Sequence, residues 1–88
     1  MSNKEQEIFV ELKKIVIQEL SVKPDQVKLE SKFVDDFGAD SLDMVELVLA
    51  IEEGFEIEVP DKEVAKIHNV GEAVELIYNI YNESKSSD

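Results

Sequence analysis

The chain has 88 residues, 43% of them hydrophobic, with no cysteine and a formal net charge of −12. That is room for one small domain with a thin core, and it excludes disulfides, thiolate catalysis and thiolate metal sites. The basic side chains are nine lysines and no arginine. Bidentate capture of phosphate is therefore excluded, and nucleic acid and anionic membrane, both polyanions, are poor partners.

Ser2-Asn3-Lys4-Glu5 has capping-box spacing, and Ile8, Leu12, Ile15, Val16 and Leu20 follow at helical intervals. This predicts a first helix with one apolar stripe. Ser21-Val22-Lys23-Pro24 ends it, because the residue before proline avoids helical geometry. From there to about Ala39 no period is sustained. Val27, Leu29, Phe33, Val34 and Phe37 are scattered through a long loop that they pin to the core, with a short turn expected after Pro24. Loops of this length in compact domains are often functional.

A second helix is predicted from Asp40 or Ser41. Leu42, Val45 and Leu49 form one row on it, and Met44, Val48, Ile51 and Phe55 another; together they make a wide apolar face. Gly54 breaks the pattern and Pro60 follows. Asp61 to Lys66 reads as a short helix or a single turn. Asn69-Val70-Gly71-Glu72 again has capping-box spacing, and Val70, Val74, Ile77 and Tyr81 repeat at helical intervals into a last helix. No strand alternation stands out. The expected fold is all-α, a small bundle of three main helices plus one short helix, with a long loop between the first and second helices. The folded domain is expected over residues 1–82. The polar ESKSSD segment, residues 83–88, is expected as a flexible tail.

No apolar run approaches the roughly 20 residues that span a bilayer, and MSNKEQE lacks the basic flank and apolar stretch of a signal peptide. The chain is expected to work where it is made, in the cytoplasm, without membrane insertion. Its charge is uneven. Residues 1–34 hold six acids against six lysines, whereas residues 35–63 hold eleven acids against Lys62 alone. The middle is either a solvated acidic surface or a docking face for a partner with a basic patch.

Little else carries chemistry. The acids offer no pair in contrasting environments, so no catalytic carboxylate pair is expected. The one histidine, His68, reads as a surface or boundary residue, and no GxSxG surrounds Ser41. A calcium-binding loop beginning at Asp35 would place Phe37 and Ala39 where ligands are needed and Asp40 at the turn glycine. Beginning at Asp36, it puts Leu47 at the bidentate position. Both registers fail, and no dedicated metal site is expected.

Ser41 remains. As an N-cap it would have Met44 at the third helical position, which cannot return a bond. With Asp40 as the cap, Asp43 takes that position and Ser41 becomes the first helical residue with a free hydroxyl. The pattern leaves both a capping role and a special role open.

Gly38-Ala39-Asp40-Ser41-Leu42 with Asp43-Met44-Val45-Glu46-Leu47-Val48 resembles the attachment motif of acyl carrier proteins. Ala50-Ile51-Glu52-Glu53, Phe55-Glu56-Ile57-Glu58-Val59-Pro60-Asp61 and Val70-Gly71-Glu72-Ala73-Val74 match as well. The likeness, to the discrete carriers of type II fatty acid synthesis, covers essentially the whole chain. It implies a monomeric, non-catalytic carrier of acyl intermediates. They ride as thioesters on a 4′-phosphopantetheine arm that a separate, Mg²⁺-dependent phosphopantetheinyl transferase joins to Ser41. It implies that the helices can open to shelter the acyl chain. It also implies docking on basic patches of fatty acid synthesis enzymes, with charge from Asp40, Asp43, Glu46, Glu52 and Glu53 and apolar contact from Leu42, Val45, Leu49 and Ala50. Phe37, Met44, Gly54, Lys62 and Ala65 depart from the usual pattern, and the last two make the short helix less negative. A carrier for a dedicated polyketide, peptide or other acyl-transfer pathway is the nearest alternative. An acidic helical interaction module without cofactor is another.

Overall fold

The computed structural model describes residues 2–86, with side-chain surroundings for residues 2–82. The first helix, α1 (Asn3–Leu20), begins with the expected reciprocal cap. The Ser2 hydroxyl accepts from the Glu5 N–H at 3.2 Å, and the Glu5 carboxylate accepts from the Ser2 N–H at 3.0 Å. Those two bonds use two of the donors that a helix start otherwise leaves open. Ile8, Leu12 and Val16 are the stripe it buries. The helix ends on Ser21 in left-handed geometry, φ 55°.

The chain then makes one 3-10 turn, Pro24–Gln26, at the place the proline marks. The rest of the loop is held by few but specific contacts. Val27 and Phe33 are buried in the core, and the Phe33 ring meets Phe37 edge-on, with centroids 6.1 Å apart. Ser31 is the one buried polar side chain among the described residues. Its hydroxyl donates to the Gln26 carbonyl at 2.8 Å and accepts from the Lys28 N–H at 3.0 Å, so its burial leaves nothing unsatisfied.

Helix α2 (Ser41–Phe55) buries Leu47, Val48, Ile51 and Phe55. The expected wide apolar face is in fact two faces. Leu42, Val45 and Leu49 are 65%, 54% and 58% exposed. The reason is that α1 packs along the other side of α2, so the second row has no partner. Gly54 does not end the helix; the left-handed cap falls on Glu56, φ 56°. A Cβ on Gly54 would stand 3.0 Å from Ile15 Cδ1, so the missing side chain lets α1 lie close against α2.

Helix α3 (Asp61–Val64) is one turn, as its length predicts, and α4 (Val70–Ser86) is the last element. Asn69 and Glu72 form its cap: the Asn69 amide oxygen accepts from the Glu72 N–H at 2.8 Å. The Glu72 carboxylate accepts from the N–H groups of Asn69 and His68. Val70, Ala73, Val74 and Ile77 are buried. Helical backbone continues to Ser86, through the first four residues of the segment expected as a tail; residues 87 and 88 lie outside the described residues. α1 packs against both α2 and α4 and forms the spine of the bundle.

One tie was not expected. The loop pairs with the segment just before α4 as an isolated antiparallel bridge, Lys32 with Asn69. The Phe33 N–H donates to the His68 carbonyl at 3.1 Å, Val70 N–H to Ser31 at 3.0 Å, and Gly71 N–H to Leu29 at 2.8 Å. These bonds fix the loop, and through it the start of α2.

Candidate functional site

The loop delivers the chain to α2 through a series of tight turns. The Lys32 carbonyl accepts from the N–H groups of Asp36 and Phe37, and the Asp36 carboxylate accepts from the Lys32 N–H at 2.7 Å. Gly38 takes φ 68° with open space around its Cα, so glycine is needed there for the backbone angle and not for room. Its N–H donates to the Val34 carbonyl, and that of Ala39 to the Phe33 carbonyl at 2.9 Å. Ala39 is only 4% exposed. A buried alanine followed by a helix start leaves the next two residues facing water.

Asp40 is the cap. Its carboxylate accepts from the Asp43 N–H at 2.8 Å, and Asp43 returns a bond to the Asp40 N–H at 3.1 Å. Ser41 is therefore the first helical residue, exposed, and its hydroxyl makes no hydrogen bond. The N–H groups of Ser41 and Leu42 lie in the first turn, where a helix has no carbonyl of its own to offer them, and the positive end of the helix dipole adds to their pull on an anion. Of the other described serines with placed side chains, Ser2 and Ser31 are committed to hydrogen bonds and Ser21 is a left-handed cap.

Beyond Ser41, Leu42, Val45, Glu46, Leu49 and Glu53 follow at spacings that place them on one side of α2, and all five are exposed. Asp40 is exposed at the same end. The structure does not bring the other three expected contact residues into this face equally. Asp43 is half-buried and tied to Asp40, and Ala50 is half-buried. Glu52 is half-buried, with its carboxylate accepting from the Val59 N–H at 2.8 Å. It holds the turn after α2, a role no sequence period signals, because its partner lies seven residues on across a left-handed turn. Asp36 was likewise missed as a structural acid.

One turn into α2, Met44 joins Phe33, Val64 and Ile67 in lining a half-open recess of about 320 Å³, with Lys32, Asp35 and His68 also on its wall. Among the described residues no group of acids or histidine is placed to hold a metal ion. No helix of the structure is long and apolar enough to cross a membrane.

A family model described as "Phosphopantetheine attachment site" matches residues 10–77. The chain is 52% identical over 73 residues to a protein of Sulfurovum sp. (strain NBC37-1), covering 83% of this chain and 97% of that one. It is 57% identical over 70 residues to a protein of Wolinella succinogenes, covering 80% and 92%. It is 53% identical over 70 residues to one of Campylobacter fetus subsp. fetus, covering 80% and 91%. All three relatives are named acyl carrier protein.

The group such a domain holds covalently is 4′-phosphopantetheine, which supplies a thiol on a long arm. The residues present fit it. A phosphodiester link needs an accessible hydroxyl, and a phosphate is favoured beside uncommitted N–H groups at a helix start. The start of α2 offers both. With the family match spanning most of the chain and near-full-length relatives at half identity or more, the chain belongs to the acyl carrier protein family.

Proposed function

We propose that Ser41 is the residue that carries the phosphopantetheine arm, and that this chain serves cytoplasmic fatty acid synthesis without catalysing a step itself. The observation that carries this reading is the division of labour at the start of α2: Asp40 caps the helix, and Ser41 is left exposed and unbonded. A serine hydroxyl is a weak nucleophile at neutral pH and needs a base. No hydrogen bond links Ser41 to His68 or to any carboxylate, so its activation falls to a separate transferase.

The side of α2 that continues from Ser41 supports docking. Leu42, Val45 and Leu49 are an exposed apolar row, and Asp40, Glu46 and Glu53 set negative charge along it. A partner with a basic patch around an apolar notch matches both. The charges speed encounter and the apolar row gives contact once seated. Asp43, Ala50 and Glu52 contribute less, because all three are half-buried.

Co-expression with a phosphopantetheinyl transferase tests the assignment by intact mass. The wild type gains one phosphopantetheine and Ser41→Ala gains none; equal modification of both would refute the site. Glu46→Lys with Glu53→Lys leaves modification possible but weakens binding to synthesis enzymes by about tenfold or more at low salt, read by titration. Unchanged binding would remove the docking face from the proposal.

A further inference from the structure

A saturated chain left in water costs about 0.8 kcal/mol per methylene, so a carrier of such chains gains by covering them. The recess at Met44, next to the start of α2, is the apolar space nearest Ser41 along the helix. Met44 packs against the buried core cluster to which α2 contributes Leu47 and Ile51 and α4 contributes Val74 and Ile77. The close helix packing of the bundle runs from α1 to α2 and from α1 to α4, whereas α2 and α4 approach each other much less closely. Side chains, not backbone contacts, fill the space on that side.

One contact interrupts this pattern, and it stands at the far end. Tyr81, in the last part of α4, donates its hydroxyl to the Phe55 carbonyl at 2.8 Å. Phe55 is the final residue of α2, so its carbonyl is among those a helix end leaves without a partner. The two rings also meet edge-on, with centroids 6.2 Å apart and planes at 77°. The Lys4 ammonium, from the first turn of α1, sits 5.0 Å from the Tyr81 ring centroid. A single side chain thus joins all three long helices. At 1.5 Å per residue, this junction is about 21 Å along α2 from Ser41.

We propose that Tyr81 is the end wall of the chain-sheltering interior and sets the longest acyl chain that this carrier covers. A chain entering at Met44 runs along α2 toward Phe55 and is stopped there. Passing further requires breaking the bond to the Phe55 carbonyl and displacing a ring held from two sides. Tyr81 is a specificity-determining residue on this reading, with no contact to the reacting thioester.

The proposal rests on attachment of the arm, and the test separates the two. Wild type, Tyr81→Phe and Tyr81→Leu are loaded with saturated chains of rising length, each species is verified by intact mass, and its Tm is compared with that of its own unacylated holo form. This difference cancels any general loss of stability in the variant. In the wild type the gain in Tm rises with chain length and then levels off. In Tyr81→Leu it levels off about two to four carbons later, the room left when a ring becomes an isobutyl group. Tyr81→Phe, which loses only the hydrogen bond, shifts the limit in the same direction by less. It also carries the test if Tyr81→Leu does not fold. The same limit in wild type and variants overturns the proposal alone. Failure of the wild type to take up the arm overturns the attachment reading and this proposal with it.

Discussion

Asp40 and Ser41 are neighbours with opposite relations to the fold. Asp40→Ala removes a capping bond and should cost about 1 kcal/mol in urea denaturation, while Ser41→Ala, at an exposed first helical position, should cost at most a few tenths. A large loss for Ser41→Ala would mean that its hydroxyl serves the fold. Glu5 offers a test by pH. The Ser2 backbone N–H, and then the Ser2 hydroxyl, hold its carboxyl below the usual glutamate value. A lowered folded-state pKa gives stability that is present above the unfolded value and lost as pH falls through the folded one. The advantage of wild type over Glu5→Ala should therefore be full at neutral pH and fade below about pH 4. An advantage that persists or grows in acid would contradict the bonding seen. Both caps were legible in the sequence, because a reciprocal cap needs only two residues at fixed spacing. Glu52 and Asp36 were not, since acids that bond backbone across a turn look the same in sequence as surface charge.

At the scale of elements, the left-handed positions are where substitution has a clear sign. Gly38 turns the chain into α2 at φ 68° with open space beside it. Gly38→Ala should destabilise by about 1–2 kcal/mol through backbone strain alone, and a neutral result would mean that the turn relaxes. Helical periods predicted α1, α2 and α4 because each has a buried stripe of two turns or more. The two rows of α2 were legible as rows, but periodicity alone does not say which is buried, because both are apolar and only the packing of the other helices separates them. The bridge between the loop and the segment before α4 was also hidden. It is made by backbone groups of Leu29, Ser31 and Phe33, and side-chain pattern carries no trace of such bonds.

Taken whole, the molecule is a carrier whose charge works against its compactness. Only two ion pairs are found among the described residues, Lys32–Asp35 at 3.9 Å and Lys66–Glu63 at 3.3 Å, both with an exposed lysine. Exposed pairs of this kind add little, so most of the acids between Asp35 and Glu63 repel one another without relief. Raising salt from a few millimolar to near physiological strength should stabilise the fold by about 1 kcal/mol, or roughly 4–8 °C in Tm, with divalent cations acting at lower concentration. A Tm unmoved by either would mean that the acids are farther apart in effect than they are in sequence. The central claim is that a borrowed thiol hangs from Ser41. Between Lys32 and Lys62, Ser41 is the only hydroxyl side chain of any kind. The most direct measurement is cleavage after lysine of the protein purified from its own cells, followed by the mass of the peptide spanning residues 33–62. The account predicts that this peptide carries phosphopantetheine, free or acylated. The bare peptide mass, or phosphopantetheine on a peptide that lacks Ser41, would contradict it.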